Sequence, residues 1–126
     1  MKVAVCMNTT LVAQDISVEN IRQHFFQKET ETRHVAEADS IAALHFAFSL
    51  CEEGDTVTAV SYGGSENEAA LVYALAYGVK SLIRIEDEHP PVSLADPTVT
   101  AKVLASWIRD QSFDIVICGD PTGTGV

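Results

Sequence analysis

KVAVCM, residues 2–7, is a short continuous apolar run of the kind that forms a strand buried on both faces of a parallel sheet. Three more runs follow it: TVTAVS (56–61), SLIRIE (81–86) and FDIVICG (113–119). Helical patterns separate them. In DSIAALHFAFSLCEEG (39–54), Ile41, Leu44, Phe48 and Cys51 recur at helical spacing. Asp39 or Ser40 is the expected cap there, and Gly54 the left-handed residue that ends the element. SENEAALVYALAYG (65–78) opens on a capping box, Ser65 with Glu68. Leu71, Ala74 and Leu75 form its expected buried face, and Gly78 its end. ADPTVTAKVLASWIRD (95–110) places Asp96 at the cap, Pro97 at the first helical position, and Val99, Val103, Trp107 and Ile108 on one face.

Strands that alternate with helices imply a parallel sheet joined by right-handed crossovers. The expected fold is therefore α/β: a three-layer open parallel sheet with helices on both faces, in one domain spanning 1–126. No helix follows the fourth run, so a last strand is expected to be missing. Residues 8–37 are ambiguous. Ser17 to Ile21 suits a helix start, whereas QHFFQKETETRHVAE (23–37) alternates like a strand pair, and a mixture packed across the top or edge of the sheet is expected. EDEHPPVSLAD (86–96) has the prolines of an extended linker.

Composition narrows the function. Acidic residues outnumber basic ones 18 to 8, which argues against nucleic acid and anionic lipid as partners. No apolar run approaches the ~20 residues of a membrane span, and no leader pattern opens the chain, so a cytoplasmic location is expected. Cys6, Cys51 and Cys118 are distant in sequence and lack metal-ligand spacing. They are expected to be buried as small hydrophobes in a reducing compartment. No catalytic constellation is legible, and neither metal site nor catalytic residue is assigned.

Two glycine-rich stretches carry the binding expectation. Open parallel sheets bind ligands beyond their strand C-termini, where successive connections diverge. With the first run central, that point lies between the first and fourth runs. Asn8 then meets GDPTGTG (119–125), whose glycines and threonine hydroxyls suit a phosphate. SYGGSENE (61–68) opens a helix after the second run, and its glycines admit a nucleotide. The expected pocket residues are Asn8, Gly63, Gly119, Thr122, Gly123 and Thr124, with backbone groups making most of the contacts. Neither stretch is a Walker or GxGxxG motif.

With those segments placed, the chain resembles the beta subunit of electron-transfer flavoproteins. The resemblance rests on the ordered set IAALHFAFSL (41–50), DTVTAVSYGG (55–64), ALAYGVKSLIRIED (74–87), TAKVLASWI (100–108) and FDIVICG (113–119), together with the first strand. It implies a Rossmann-like fold holding an adenine nucleotide, AMP in most members and a second FAD in electron-bifurcating ones. It also implies a redox FAD shared with an alpha-type partner subunit, in a carrier rather than a catalyst. The family's Gln after Thr-Gly is absent here. Glu37-Ala38 stands where the family has Asn-Pro, which brings the wrong charge near a phosphate. Family members are longer, so the chain is expected to be either a fragment or a divergent short relative that lacks the family's second half. Two alternatives stand beside this reading: a non-redox relative serving protein interaction or homo-oligomerisation, and a small ATP-binding stress-type domain.

Overall fold

In the computed structural model, residues 1–13, 32–86 and 97–119 are described. The four apolar runs become strands of one parallel sheet: β1 (Lys2–Cys6), β4 (Thr56–Tyr62), β5 (Ser81–Ile85) and β6 (Ile115–Cys118), in the order β5-β4-β1-β6. β1 sits between β4 and β6, with Val3 opposite both Val57 and Ile115. The expected adjacency of the first and fourth runs holds, and the two run in the same sense. Three helices accompany the sheet: α1 (Ala38–Leu50), α2 (Glu68–Tyr77) and α3 (Pro97–Arg109).

The pleat divides the side chains between two layers. Val3, Val5, Met7 and Ala59 join Ala43, Leu44 and Ala47 of α1 and Ala70, Leu71 and Ala74 of α2 in one cluster, with Ile115 and Ile117 packed against it. Small alanines let both helices lie close to the sheet, while Leu44 and Met7 fill the space between. Each fully buried Val, Leu or Met side chain contributes about 1.5–3 kcal/mol relative to exposure. α3 lies against β4 outside that cluster. Thr58, Val60 and Tyr62, the alternate residues of β4, are buried on that second face. The α/β open sheet with helices on both faces is thus the observed architecture.

Residues 8–37 include a strand pair. β2 (Thr9–Ala13) runs antiparallel to β3 (Thr32–Ala36), with Thr9 opposite Ala36. β3 lies against α2, so this ribbon stands beside the helix layer. The helix start considered at Ser17 lies outside the described residues, as does Asp96.

The helix ends differ from expectation. α1 begins at Ala38 with Glu37 at the cap, and neither Asp39 nor Ser40 caps it. It stops at Leu50, before Gly54, whose positive φ belongs to the turn that follows. Ser65 and Glu68 do not form a capping box, because a 3-10 turn over Ser65–Asn67 intervenes and makes Glu68 the first residue of α2. Leu75 is exposed, and Ala70 takes its place on the buried face. Gly78 ends α2 as expected, at φ +130°, with its N–H donating to Ala74 and Leu75 carbonyls. The cysteines are not buried: Cys6 and Cys51 are half-buried and Cys118 is exposed.

Candidate functional site

The exits of β1 and β6 converge on the start of α1. The Met7 N–H still donates to Val60 (2.8 Å), holding the chain in the sheet. One residue later the Asn8 N–H donates to Ser40 Oγ (2.8 Å), and the Asn8 carbonyl accepts the Glu37 N–H (2.9 Å). These two bonds clamp the β1 exit to the first turn of α1. Ser40, read as a cap, instead receives a hydrogen bond from the neighbouring strand and is buried.

Gly119 leaves β6 on the other side. A side chain there has no room, because a Cβ would collide with the Asp39 carbonyl and backbone. The β6 exit therefore passes flush over the first turn of α1. The opening N–H groups of an α-helix lack intrahelical partners and carry positive partial charge. A loop delivered over them, between two diverging connections, is the place where an open parallel sheet receives an anionic ligand.

The electrostatics of this spot are mixed. Glu37 caps α1, and burial followed by repulsion from Asp39 pushes its carboxyl above the usual range. One acid at the cap and one in the first turn thus stand where a phosphate would want none.

The second glycine stretch is arranged differently. Gly63, at φ +151°, has its N–H committed to the Ile85 carbonyl (3.1 Å). A Cβ on Gly63 would strike the Asn67 side-chain amide. Asn67 Nδ2 donates to the Tyr62 carbonyl (2.6 Å), and Asn67 Oδ1 accepts from Thr9 Oγ1 (2.7 Å). This buried amide locks the β4 exit to β2. Nothing in the sequence marked it, since an Asn two residues into a polar turn is ordinary. Beneath it, Ser61 and Arg84 are register partners on β4 and β5. Ser61 Oγ and Arg84 Nη1 are buried without a hydrogen-bond partner in the described structure.

Of the expected pocket residues, Asn8 and Gly119 flank the start of α1, and Gly63 lies one strand further along the same edge. Thr122, Gly123 and Thr124 lie outside the described residues. Among the described residues, no group of three or more His, Cys, Asp or Glu is placed to hold a metal ion, and no helix is long and apolar enough to cross a membrane.

Residues 26–125 match the model of the electron transfer flavoprotein domain. Over 81 residues the chain is 38% identical to the electron transfer flavoprotein subunit beta of Bacillus subtilis (strain 168), covering 62% of this chain and 30% of that protein. Over 82 residues it is 37% identical to the subunit of the same name from Thermoanaerobacterium thermosaccharolyticum, covering 64% of this chain and 31% of that one. The matched stretch spans under a third of either relative. With the ordered segments, the parallel sheet and the domain match in agreement, the chain belongs to the electron transfer flavoprotein domain family.

Proposed function

We propose that this chain is the nucleotide-holding part of an electron-transfer flavoprotein beta-type subunit. It binds an adenine nucleotide, AMP, where the β1 and β6 exits meet the start of α1. The observation that carries this reading is the parallel pairing of β1 with β6, with Asn8 clamped to Ser40 and Gly119 laid against Asp39. Asn8 and Gly119 shape the crevice, and the first-turn N–H groups of α1 face the phosphate. Thr122, Gly123 and Thr124 are proposed to contact the phosphate, and Gly63 keeps the neighbouring strand exit free of a side chain. The close packing of Gly119 on the Asp39 backbone fixes where the β6 exit meets the start of α1.

In this reading an alpha-type partner shares an FAD with the complete subunit, and that flavin carries the electrons when bound. The residues of this chain position the nucleotide and brace the sheet on which the partner assembles. Titration calorimetry with AMP, ADP and ATP tests the pocket. Binding of AMP is expected, and a folded sample that binds none of the three would remove the proposal. Gly123→Val is expected to block the phosphate while leaving the far-UV circular dichroism unchanged.

The second reading is a non-redox interaction module. Phe46, Val72 and Leu75, exposed at 55%, 62% and 57%, leave apolar surface on α1 and α2. Sedimentation separates the two: a strict monomer with bound nucleotide excludes this one.

A further inference from the structure

The three cysteines are scattered along the chain, yet the sheet brings two of them together. Cys6 closes β1, Cys118 closes β6, and the two are register partners. In-register residues of neighbouring parallel strands present their side chains on one face, about 4.8 Å apart. That spacing lies within the ~4.4–6.8 Å between Cα atoms that a disulfide bridges. The two thiols are near enough for each to shift the other's titration. They occupy the face opposite the main core, together with Ala4 and with Val116, which is 44% exposed. Cys118 is exposed and Cys6 half-buried, so Cys118 is the more accessible of the two. Cys51, at the end of α1, belongs to neither strand.

We propose that Cys118 and Cys6 form a two-thiol modification site for low-molecular-weight disulfides, with Cys118 the attacking sulfur and Cys6 the resolving one. In the first step the Cys118 thiolate attacks one sulfur of the small disulfide. A mixed disulfide forms on Cys118 as the small molecule's S–S bond breaks, and the departing thiolate takes a proton from water. In the second step Cys6 gives its proton to solvent and attacks Cys118 Sγ. The Cys6–Cys118 bond forms, the mixed disulfide breaks, and a second small thiolate leaves. The protein loses two electrons and two protons, and the small disulfide is reduced to two thiols.

The division of roles follows from the geometry. The more exposed cysteine meets the reagent first, and the half-buried register partner follows. The proximity of Cys6 supports the same division, because it holds the Cys118 thiol down to about 7 while the Cys6 thiol is raised. A thiol poised near neutral pH combines thiolate population with nucleophilicity. The closed bond would tie β1 to β6 at the edge where both strands exit. The site stands on the strand register alone and requires no bound nucleotide.

The test treats the reduced, purified chain with oxidised glutathione and follows it by intact mass and peptide mapping. The native chain is expected to lose two hydrogens and to yield a Cys6–Cys118 linked peptide. Cys6→Ser is expected to stop at one glutathionyl group on Cys118. Cys118→Ser is expected to leave Cys6 reacting at least about tenfold more slowly than Cys118 does in the native chain. A stable glutathionyl group on Cys118 in the native chain overturns the resolving role of Cys6. Modification of Cys51 as fast as Cys118 overturns the site itself, and this native-chain readout does not depend on either variant folding.

Discussion

The two ends of the parallel sheet are built to opposite plans. At the end where the strands begin, charged and backbone groups pair off. The Met1 amine meets Asp55 Oδ1 (2.7 Å), and Asp55 Oδ2 accepts the Glu52 N–H (2.9 Å). Asp114 Oδ2 accepts the Lys2 N–H (2.6 Å), the Asp114 N–H returns to the Lys2 carbonyl (2.8 Å), and Lys2 Nζ reaches the Gln111 carbonyl (2.9 Å). At the end where the strands exit, Gly119 lies bare over a helix start, Glu37 and Asp39 crowd each other, and Ser61 Oγ is buried unpaired. The first end holds the strands in register. The second leaves groups unsatisfied, and it is the end at which the proposed nucleotide would bind.

Substitutions can separate the two ends. The largest effect is expected from Gly119→Val, which drives a branched side chain into the Asp39 backbone. AMP affinity should fall at least about a hundredfold, about 2.7 kcal/mol, in calorimetry. Retained affinity would show that the β6 exit does not shape the pocket. Next comes Asp114→Ala, which removes the acceptor for the Lys2 N–H. It should lower stability by about 1 kcal/mol in denaturant unfolding and leave AMP affinity unchanged. A change in affinity would mean that the two ends are coupled.

Glu37→Gln should act at the exit end with the opposite sign. Removing a negative charge beside the phosphate is expected to tighten AMP several-fold, by about 1 kcal/mol. Because the Glu37 pKa is raised, native binding should also tighten as pH falls into its titration range, and the variant should lose that dependence. The smallest effect concerns Asp55, whose carboxyl is held below its usual range by the Glu52 N–H and then by the Met1 amine. A depressed carboxylate contributes stability above its unfolded pKa and loses it as pH falls through the folded value. Asp55→Asn should therefore flatten the acid limb of thermal stability without moving nucleotide binding.

Much of the fold was legible along the chain. The four apolar runs, their succession and the helices between them are local patterns, whereas the central place of KVAVCM was assumed and the pairing of β1 with β4 and β6 bears it out. Gly78 was readable because ending a helix at positive φ is a property of one residue and its own turn. Capping was not. Ser40 has the side chain of a cap, yet the Asn8 N–H, 32 residues away, uses its hydroxyl. Ser65 and Glu68 have the spacing of a capping box, but the 3-10 turn shifts the helix start past it. Leu75 fits the helical stripe yet is exposed, while Ala70, Leu71 and Ala74 make the buried face.

The site divides in the same way. Asn8 and Gly119 were readable as neighbours because both follow strands at the switch point. Asn67 was not, since its importance comes from joining Thr9 to Tyr62 across two sheets. The cysteines are the sharpest case. Hydrophobicity alone predicts buried, unrelated side chains, whereas Cys6 and Cys118 face each other and one is open to solvent.

The sequence by itself determined the class of fold and the succession of strands and helices along the chain. Those depend on periodicity and on connections that neighbouring residues specify. Tertiary structure alone decided which polar groups meet: Ser40 with Asn8, Asn67 with Thr9, Cys6 with Cys118. The reason is physical. A hydrogen bond or thiol contact across a sheet depends on register and helix start, and a shift of one residue reverses the face on which a strand's side chain lies.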